Sequence, residues 1–224
     1  MFTPLAEIAR QFGINEPSSL EPRYNIAPTQ SVAAVRADRK GLRCLDMLRW
    51  GLVPHWAKDV SIGNRLINAR AETVTEKPAF RQAFSRRRCL VLASGFYEWS
   101  ETPAGKVPFF MSPQSGECLA LAGLWEQWRG ADAVLESCVI ITTAANATLA
   151  NVHQRMPAIL AIDAQKRWLD AETPANACLA LLRPAPEDEL NVRQVRRTVN
   201  NPRNEGAELI KPVADITVNQ TDED

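Results

Sequence analysis

The sequence has few of the residues from which the commonest metal and nucleotide sites are built. It contains two histidines, His55 and His153, and no Cys-x-x-Cys pair, so a His-rich or Cys-rich zinc site is not expected. Its ten glycines never fall into GxGxxG or GxxxxGK[ST], so no loop is available to cradle a nucleotide phosphate, and neither a cofactor nor a metal is expected. Neither sign of charge is in excess. With 26 basic residues against 26 acidic ones, a generally basic nucleic-acid binder is excluded, and any cationic surface must be local. No apolar run approaches the roughly 20 residues that cross a bilayer, and the first residues lack the basic flank and apolar stretch of a signal peptide. A cytoplasmic protein with no membrane partner is expected.

What is present suits an ordinary globular chain: 224 residues, 46% hydrophobic and 23% charged. The cysteines, Cys44, Cys89, Cys118, Cys138 and Cys178, are five in number, widely spaced and mostly set in apolar runs such as Cys89-Leu90-Val91-Leu92. An odd number in such settings predicts reduced, buried thiols rather than a disulfide framework. A helix is predicted at the start, with Thr3 as cap, Pro4 in the first turn and Leu5, Ile8, Ala9 and Phe12 on one face before Gly13. Strands are predicted at Val32–Val35, Cys44–Trp50, Cys89–Ser94, Phe96–Trp99, Phe109–Met111, Leu119–Trp125, Val134–Thr143 and Leu190–Val195. Further helices are predicted near Pro78–Arg86, Ala147–Val152, Ala164–Asp170 and Ala175–Leu182. That order does not alternate βαβα. It predicts an α+β fold with a mainly antiparallel, barrel-like or bifurcated sheet surrounded by helices. No repeat or linker divides the chain, so one domain over residues 1–213 is expected, followed by a polar acidic tail, 214–224, that should fray.

Three features bear on chemistry. Between Arg65 and Arg88 the cations Arg65, Arg70, Lys77, Arg81, Arg86, Arg87 and Arg88 face only Glu72 and Glu76, an excess that can neutralise phosphates or can simply be a solvated helix end. In Trp50-Gly51-Leu52-Val53-Pro54-His55-Trp56 two indoles flank a turn, which suits either base stacking or core packing. Finally, Glu98 lies among aromatics in Gly95-Phe96-Tyr97-Glu98-Trp99, where desolvation raises a carboxyl toward use as a proton donor, and His153 supplies an imidazole. Taken singly, Asn68, Glu98, Thr142 and His153 have structural readings as turn former, ion-paired strand residue, ordinary strand residue and helix-end group.

Six segments in order resemble the signature of the SOS-response-associated peptidase (SRAP) family. They are Pro22-Arg23-Tyr24-Asn25-Ile26-Ala27-Pro28-Thr29-Gln30, Trp50-Gly51-Leu52-Val53-Pro54, Ile67-Asn68-Ala69-Arg70-Ala71-Glu72-Thr73, Gly95-Phe96-Tyr97-Glu98-Trp99, His153-Gln154-Arg155-Met156-Pro157 and Asn204-Glu205-Gly206-Ala207-Glu208-Leu209-Ile210. The resemblance spans Leu5 to Val213. It implies recognition of abasic sites in single-stranded DNA and covalent capture by an N-terminal cysteine, whose amine condenses with the ring-opened sugar and whose thiol closes a thiazolidine. By the same resemblance Asn68 positions the cysteine, Glu98 shuttles protons during imine formation and His153 assists sugar opening. Arg70, Thr142 and Arg155 would surround the site, with Trp56 and Pro28 against DNA bases. The expected partner is single-stranded DNA containing abasic sites, and a monomer is expected.

The chain departs from the family at its start, where Met1-Phe2-Thr3-Pro4 stands in place of Met-Cys-Gly-Arg-Phe. No internal cysteine can replace an amine and a thiol on one terminal residue, so a start upstream of Met1 is expected. The alternatives are a non-covalent single-stranded or abasic DNA binding module and a cysteine-type peptidase pairing Cys89 with His153. A generic Cys/His peptidase has no local motif here. The family resemblance thus implies an abasic-site-processing enzyme of lyase or peptidase class.

Overall fold

The computed structural model describes residues 1–15, 19–38, 40–131 and 133–213. In chain order the elements are α1 (Leu5–Phe12), β1 (Ser31–Ala37), β2 (Arg43–Trp50), β3 (Asn68–Arg70), α2 (Arg81–Arg86), β4 (Arg88–Ala93), β5 (Phe96–Thr102), β6 (Gly105–Pro113), β7 (Leu119–Arg129), β8 (Val134–Ala144), α3 (Ala147–Ala150), β9 (Arg155–Pro157), α4 (Ile162–Leu169), α5 (Ala175–Leu179) and β10 (Leu190–Gln194). The fold is α+β. Strands β2, β1, β4, β7 and β8 pair in that order, and β2 returns to β8 through Arg49–Ser137 and Trp50–Cys138, closing a five-stranded barrel. Closure removes the free edges that an open sheet of these apolar strands would expose.

Strand β8 organises the site because it is long and paired along both edges. One edge takes β7 and then β9, whose Arg155–Pro157 pair antiparallel with Thr142–Ala144. The other takes β2 and then β3, which runs parallel with Asn68 opposite Ile140 and Arg70 opposite Thr142. These two parallel pairings qualify an otherwise antiparallel topology. A second sheet, β10-β6-β5, lies beside the barrel.

Alternation along the strands divides the core. Ala33, Val35, Leu90, Leu92, Val139 and Ile141 face a cluster shared with Ile8 and Phe12 of α1, Phe84 of α2 and Trp168 of α4. Val32, Ala34, Cys89, Val91, Cys138 and Ile140 face another, shared with Met111, Phe96 and Phe109 of the second sheet. Burial on both faces explains why β4 reads as a continuous apolar run.

Several expectations are corrected. Helix α1 begins at Leu5 with Pro4 as its N-cap, and the Thr3 hydroxyl does not cap. It meets the Ser94 hydroxyl at 2.7 Å, while the N–H groups of Phe2 and Thr3 donate to Ser94 Oγ at 2.8 and 2.9 Å. Residues 1–4 are therefore not helical but lie along the scaffold that leads into β5. The second helix starts at Arg81 rather than near Pro78, and the third ends at Ala150. Four cysteines are buried as expected, but Cys44 is exposed. The expected tail, 214–224, lies outside the described residues.

The basic run also divides. Arg88 is buried, and its guanidinium donates to Phe84 O at 2.9 Å, Trp168 O at 2.6 Å and Asp170 O at 2.6 Å. It thereby satisfies the orphan carbonyls where α2 and α4 end. Arg87 reaches the buried carboxylate of Glu126 at 2.5 Å, with His55 Nδ1 3.7 Å from the other oxygen. These two arginines are engaged inside the fold, with carbonyls and a buried carboxylate as partners.

Candidate functional site

Glu98, on β5 of the second sheet, and His153, in the turn that leads into β9 of the barrel sheet, are brought side by side. Glu98 shares its face of β5 with Phe96, opposite Phe109 of β6, and His153 follows α3 just before β9. His153 Nδ1 stands 3.8 Å from Glu98 Oε2. Burial pushes the Glu98 carboxyl above its ordinary range, and the His153 charge opposes the shift. The same Nδ1 also accepts from the Arg155 N–H at 3.2 Å, which orients the ring. A carboxyl raised by burial beside a half-exposed imidazole places two proton-transfer groups where a ligand can enter between them.

Next to this pair, Arg155 is clamped. Its two terminal nitrogens donate to Glu72 Oε1 at 2.7 Å and Oε2 at 3.0 Å, and one also reaches the Thr142 carbonyl at 2.6 Å and hydroxyl at 3.3 Å. Hydrogen bonding to Arg155 holds the Glu72 carboxyl below its ordinary range, against the opposing effect of burial. Asn68 and Arg70 point to the same, exposed face of β3, while Ala69 between them is buried. Among the described residues neither side chain makes a hydrogen bond or ion pair to the protein, so both are available to a ligand. Thr142 is buried, and its hydroxyl lies 3.5 Å from the Ala69 carbonyl.

The loops that carry Pro28 and Trp56 are stitched to the same frame. Thr29 N–H donates to Trp50 O at 2.7 Å, Trp50 N–H to Gln30 O at 2.9 Å, and the Trp50 indole to Ile67 O at 2.9 Å, next to Asn68. Thr29 has φ +76°, a conformation that a β-branched residue rarely adopts and that this stitching imposes beside the exposed Pro28. Gly51 has φ +125°, and a Cβ there would lie 2.5 Å from Gly63 O, so the backbones cross at a distance only glycine allows. Trp56 is 52% exposed. Of the two indoles flanking the turn, Trp50 is thus anchored and Trp56 is free to stack.

Sequence reasoning missed the residues that tie these parts together. Glu205 accepts from Arg23 Nε at 2.5 Å, Tyr24 N at 2.8 Å and Asn25 N at 3.3 Å. The buried Asn25 amide donates to Val199 O, Asn201 O and Asn204 O at 3.0, 3.0 and 3.2 Å. Tyr97 donates its hydroxyl to Tyr24 O at 2.8 Å. The contacts form a circuit: Tyr24 to Tyr97, Glu98 to His153, Arg155 to Glu72, Ile67 to Trp50, and Trp50 back to Thr29 and Gln30, with the Glu205 segment fastened to Tyr24. All six segments noted in the sequence are therefore neighbours in space. The only earlier signal for Asn25, Glu72 and Glu205 was their membership of those segments. Cys89, in contrast, is fully buried, with its thiol pushed well above its ordinary value by burial, and it makes no hydrogen bond to His153.

The family model for the SOS response associated peptidase (SRAP) matches residues 1–202. The chain belongs to the SRAP family. It is 41% identical over 216 residues to the abasic site processing protein YoaM of Bacillus subtilis (strain 168), covering 94% of this chain and 95% of that one. It is 32% identical over 215 residues to the abasic site processing protein YedK of Escherichia coli (strain K12), covering 93% and 94%. A crystal structure of a protein from Bacteroides thetaiotaomicron has the same fold, with a TM-score of 0.85 at 23% identity over 95% of this chain and 97% of that one. Among the described residues no helix is long and apolar enough to cross a membrane, and no three His, Cys, Asp or Glu side chains are grouped to hold a metal.

Proposed function

We infer that this SRAP protein recognises abasic sites in single-stranded DNA and supplies the proton-transfer groups for their covalent capture by an N-terminal cysteine. The observation that carries this reading is the Glu98–His153 pair, 3.8 Å apart and half open to solvent, on a frame that also presents Asn68 and Arg70. The names of its relatives, abasic site processing proteins, agree with it. An abasic sugar exists as a closed hemiacetal and an open aldehyde. His153 assists opening, and Glu98 delivers the proton with which the carbinolamine oxygen leaves as water, giving the imine. Addition of the thiol to the imine carbon, with its proton passing to nitrogen, closes the thiazolidine. In this reading Arg70 and Arg155 meet backbone phosphates, Thr142 supports Arg155, and Trp56 and Pro28 offer apolar surface to unpaired bases. The scheme needs an amine and a thiol on one terminal residue, which Met1-Phe2 does not supply.

The test has two arms. Binding of this chain to single-stranded, abasic and duplex oligonucleotides is measured across a salt series, with tightest binding to the abasic single strand and affinity falling steeply with salt. A form led by Met-Cys-Gly-Arg is then mixed with the abasic oligonucleotide, and Glu98→Ala and His153→Ala slow its adduct formation by about 10²- to 10⁴-fold. Equal affinity for intact duplex refutes the single-strand reading, and unchanged single-turnover rates in both variants refute the catalytic one.

A further inference from the structure

The two arginines beside the site are not equivalent. Arg70 has no carboxylate partner among the described residues, whereas both terminal nitrogens of Arg155 are taken by Glu72 in the forked geometry that makes such pairs strong. The pair is only partly screened by water, with Arg155 24% and Glu72 52% exposed. Arg155 Nε is buried and has no partner, so the guanidinium is held by its outer edge alone. Glu72 sits in the 3-10 turn Ala71–Thr73 directly after β3, and Arg155 opens β9 on the opposite edge of β8. The contact therefore crosses the strand that carries Thr142, at the mouth of the site.

We propose that Glu72 is a positioning residue that acts as an internal competitor for phosphate: it neutralises Arg155 in the free protein and yields it to a DNA backbone phosphate only by exchange. This rests on the inferred binding of single-stranded DNA. A free arginine that meets a phosphate releases a condensed counterion, and each such contact adds roughly 0.7 to the salt slope on a single strand. An arginine that must first leave a neighbouring carboxylate brings that negative charge up to the DNA with it, so the pair adds no net cation at the contact and little to the slope. Glu72 thus suppresses loose, sequence-independent attraction to DNA at this position while keeping the guanidinium oriented over Thr142.

The probe is an unmodified single-stranded oligonucleotide, titrated across a salt series with the wild-type chain, Glu72→Gln, Arg155→Gln and the double variant. Glu72→Gln is expected to bind more tightly at low salt, with a slope steeper by roughly 0.7. Arg155→Gln alone leaves the wild-type slope in place, and in the double variant the extra slope disappears. A merely structural role for Glu72 would not steepen the slope. Unchanged slope in Glu72→Gln overturns the proposal, as does a shallower slope in Arg155→Gln, which would make Arg155 a free phosphate contact from the outset. The second arm stands even if Glu72→Gln does not fold. Wild-type binding with either of those results overturns this proposal alone, whereas no wild-type binding to any single strand overturns the functional reading with it.

Discussion

Asn25 touches no part of the proton-transfer pair, yet its replacement should weaken both the fold and DNA binding. The residue is 6% exposed, and the amide group shares its hydrogens among the carbonyls of Val199, Asn201 and Asn204, which fastens the Arg23–Gln30 segment to the turn before Glu205. Asn25→Ala removes about two hydrogen bonds worth roughly 1 kcal/mol each and leaves converging carbonyl oxygens without a donor, for roughly 1 kcal/mol more. The expected loss is about 3 kcal/mol, which at about 2–4 °C per kcal/mol for a chain of this size lowers Tm by about 6–12 °C. Asn25→Asp should be worse, since it aims a carboxylate at those same oxygens. Urea denaturation reads the loss as a lower midpoint at constant m-value. Because the freed segment presents Pro28 and sets the strained Thr29, affinity for single-stranded DNA should fall as well, at temperatures where the variant is still folded. A stability loss under about 1 kcal/mol, with DNA affinity intact, would refute the view that this amide is the fastening of the segment.

Two further outcomes follow from buried charge. Burial raises the Glu98 carboxyl above its ordinary 4.5, so as pH climbs from that value toward the folded-state value the unfolded chain releases a proton that the folded chain retains, and wild-type stability declines across that window. Glu98→Gln removes this penalty. Its Tm should match that of wild type in acid below the window and exceed it above, and a difference that does not grow between about pH 4 and about pH 8 would contradict the assignment. Arg88→Met deletes a guanidinium bonded to the carbonyls that end α2 and α4, and should lower stability by about 3 kcal/mol or more. It should leave the salt slope of DNA binding unchanged, and a shallower slope would return Arg88 to the phosphate-binding surface.

The barrel could be read from the sequence because apolar runs such as those of β4, β7 and β8 leave little choice but a doubly covered sheet. Strands β3 and β9 could not, since three residues carry no period and both exist only because the far end of β8 offers them its edges. Thr3 looked like a helix cap because capping is local, whereas its actual partner, Ser94, lies 91 positions away. The same limit applies to Arg88, whose acceptors Trp168 and Asp170 come some 80 residues later, and to Glu72, which meets Arg155 across 83 residues. Glu98 was more visible because its desolvation begins with aromatic neighbours in its own strand. A carboxylate's environment can be partly local, but the identity of its counter-ion is not.

The circuit of contacts also shows where the frame is weakest. Tyr24 to Tyr97, Trp50 to Ile67 and Glu72 to Arg155 are joined by hydrogen bonds of 2.8, 2.9 and 2.7 Å. Glu98 and His153 are 3.8 Å apart, beyond hydrogen-bonding distance. They are also where the second sheet, through β5, faces the barrel, through the turn before β9. A ligand that parts these two side chains breaks no hydrogen bond, whereas entry at any of the other joints would break at least one. For the function inferred above, the cheapest place to admit a sugar is thus the gap between the proton donor and the imidazole, and the neighbouring bonds keep both groups oriented while it enters. The electrostatic attraction lost on parting them is small at a half-exposed site and can be replaced by the new contacts of the ligand.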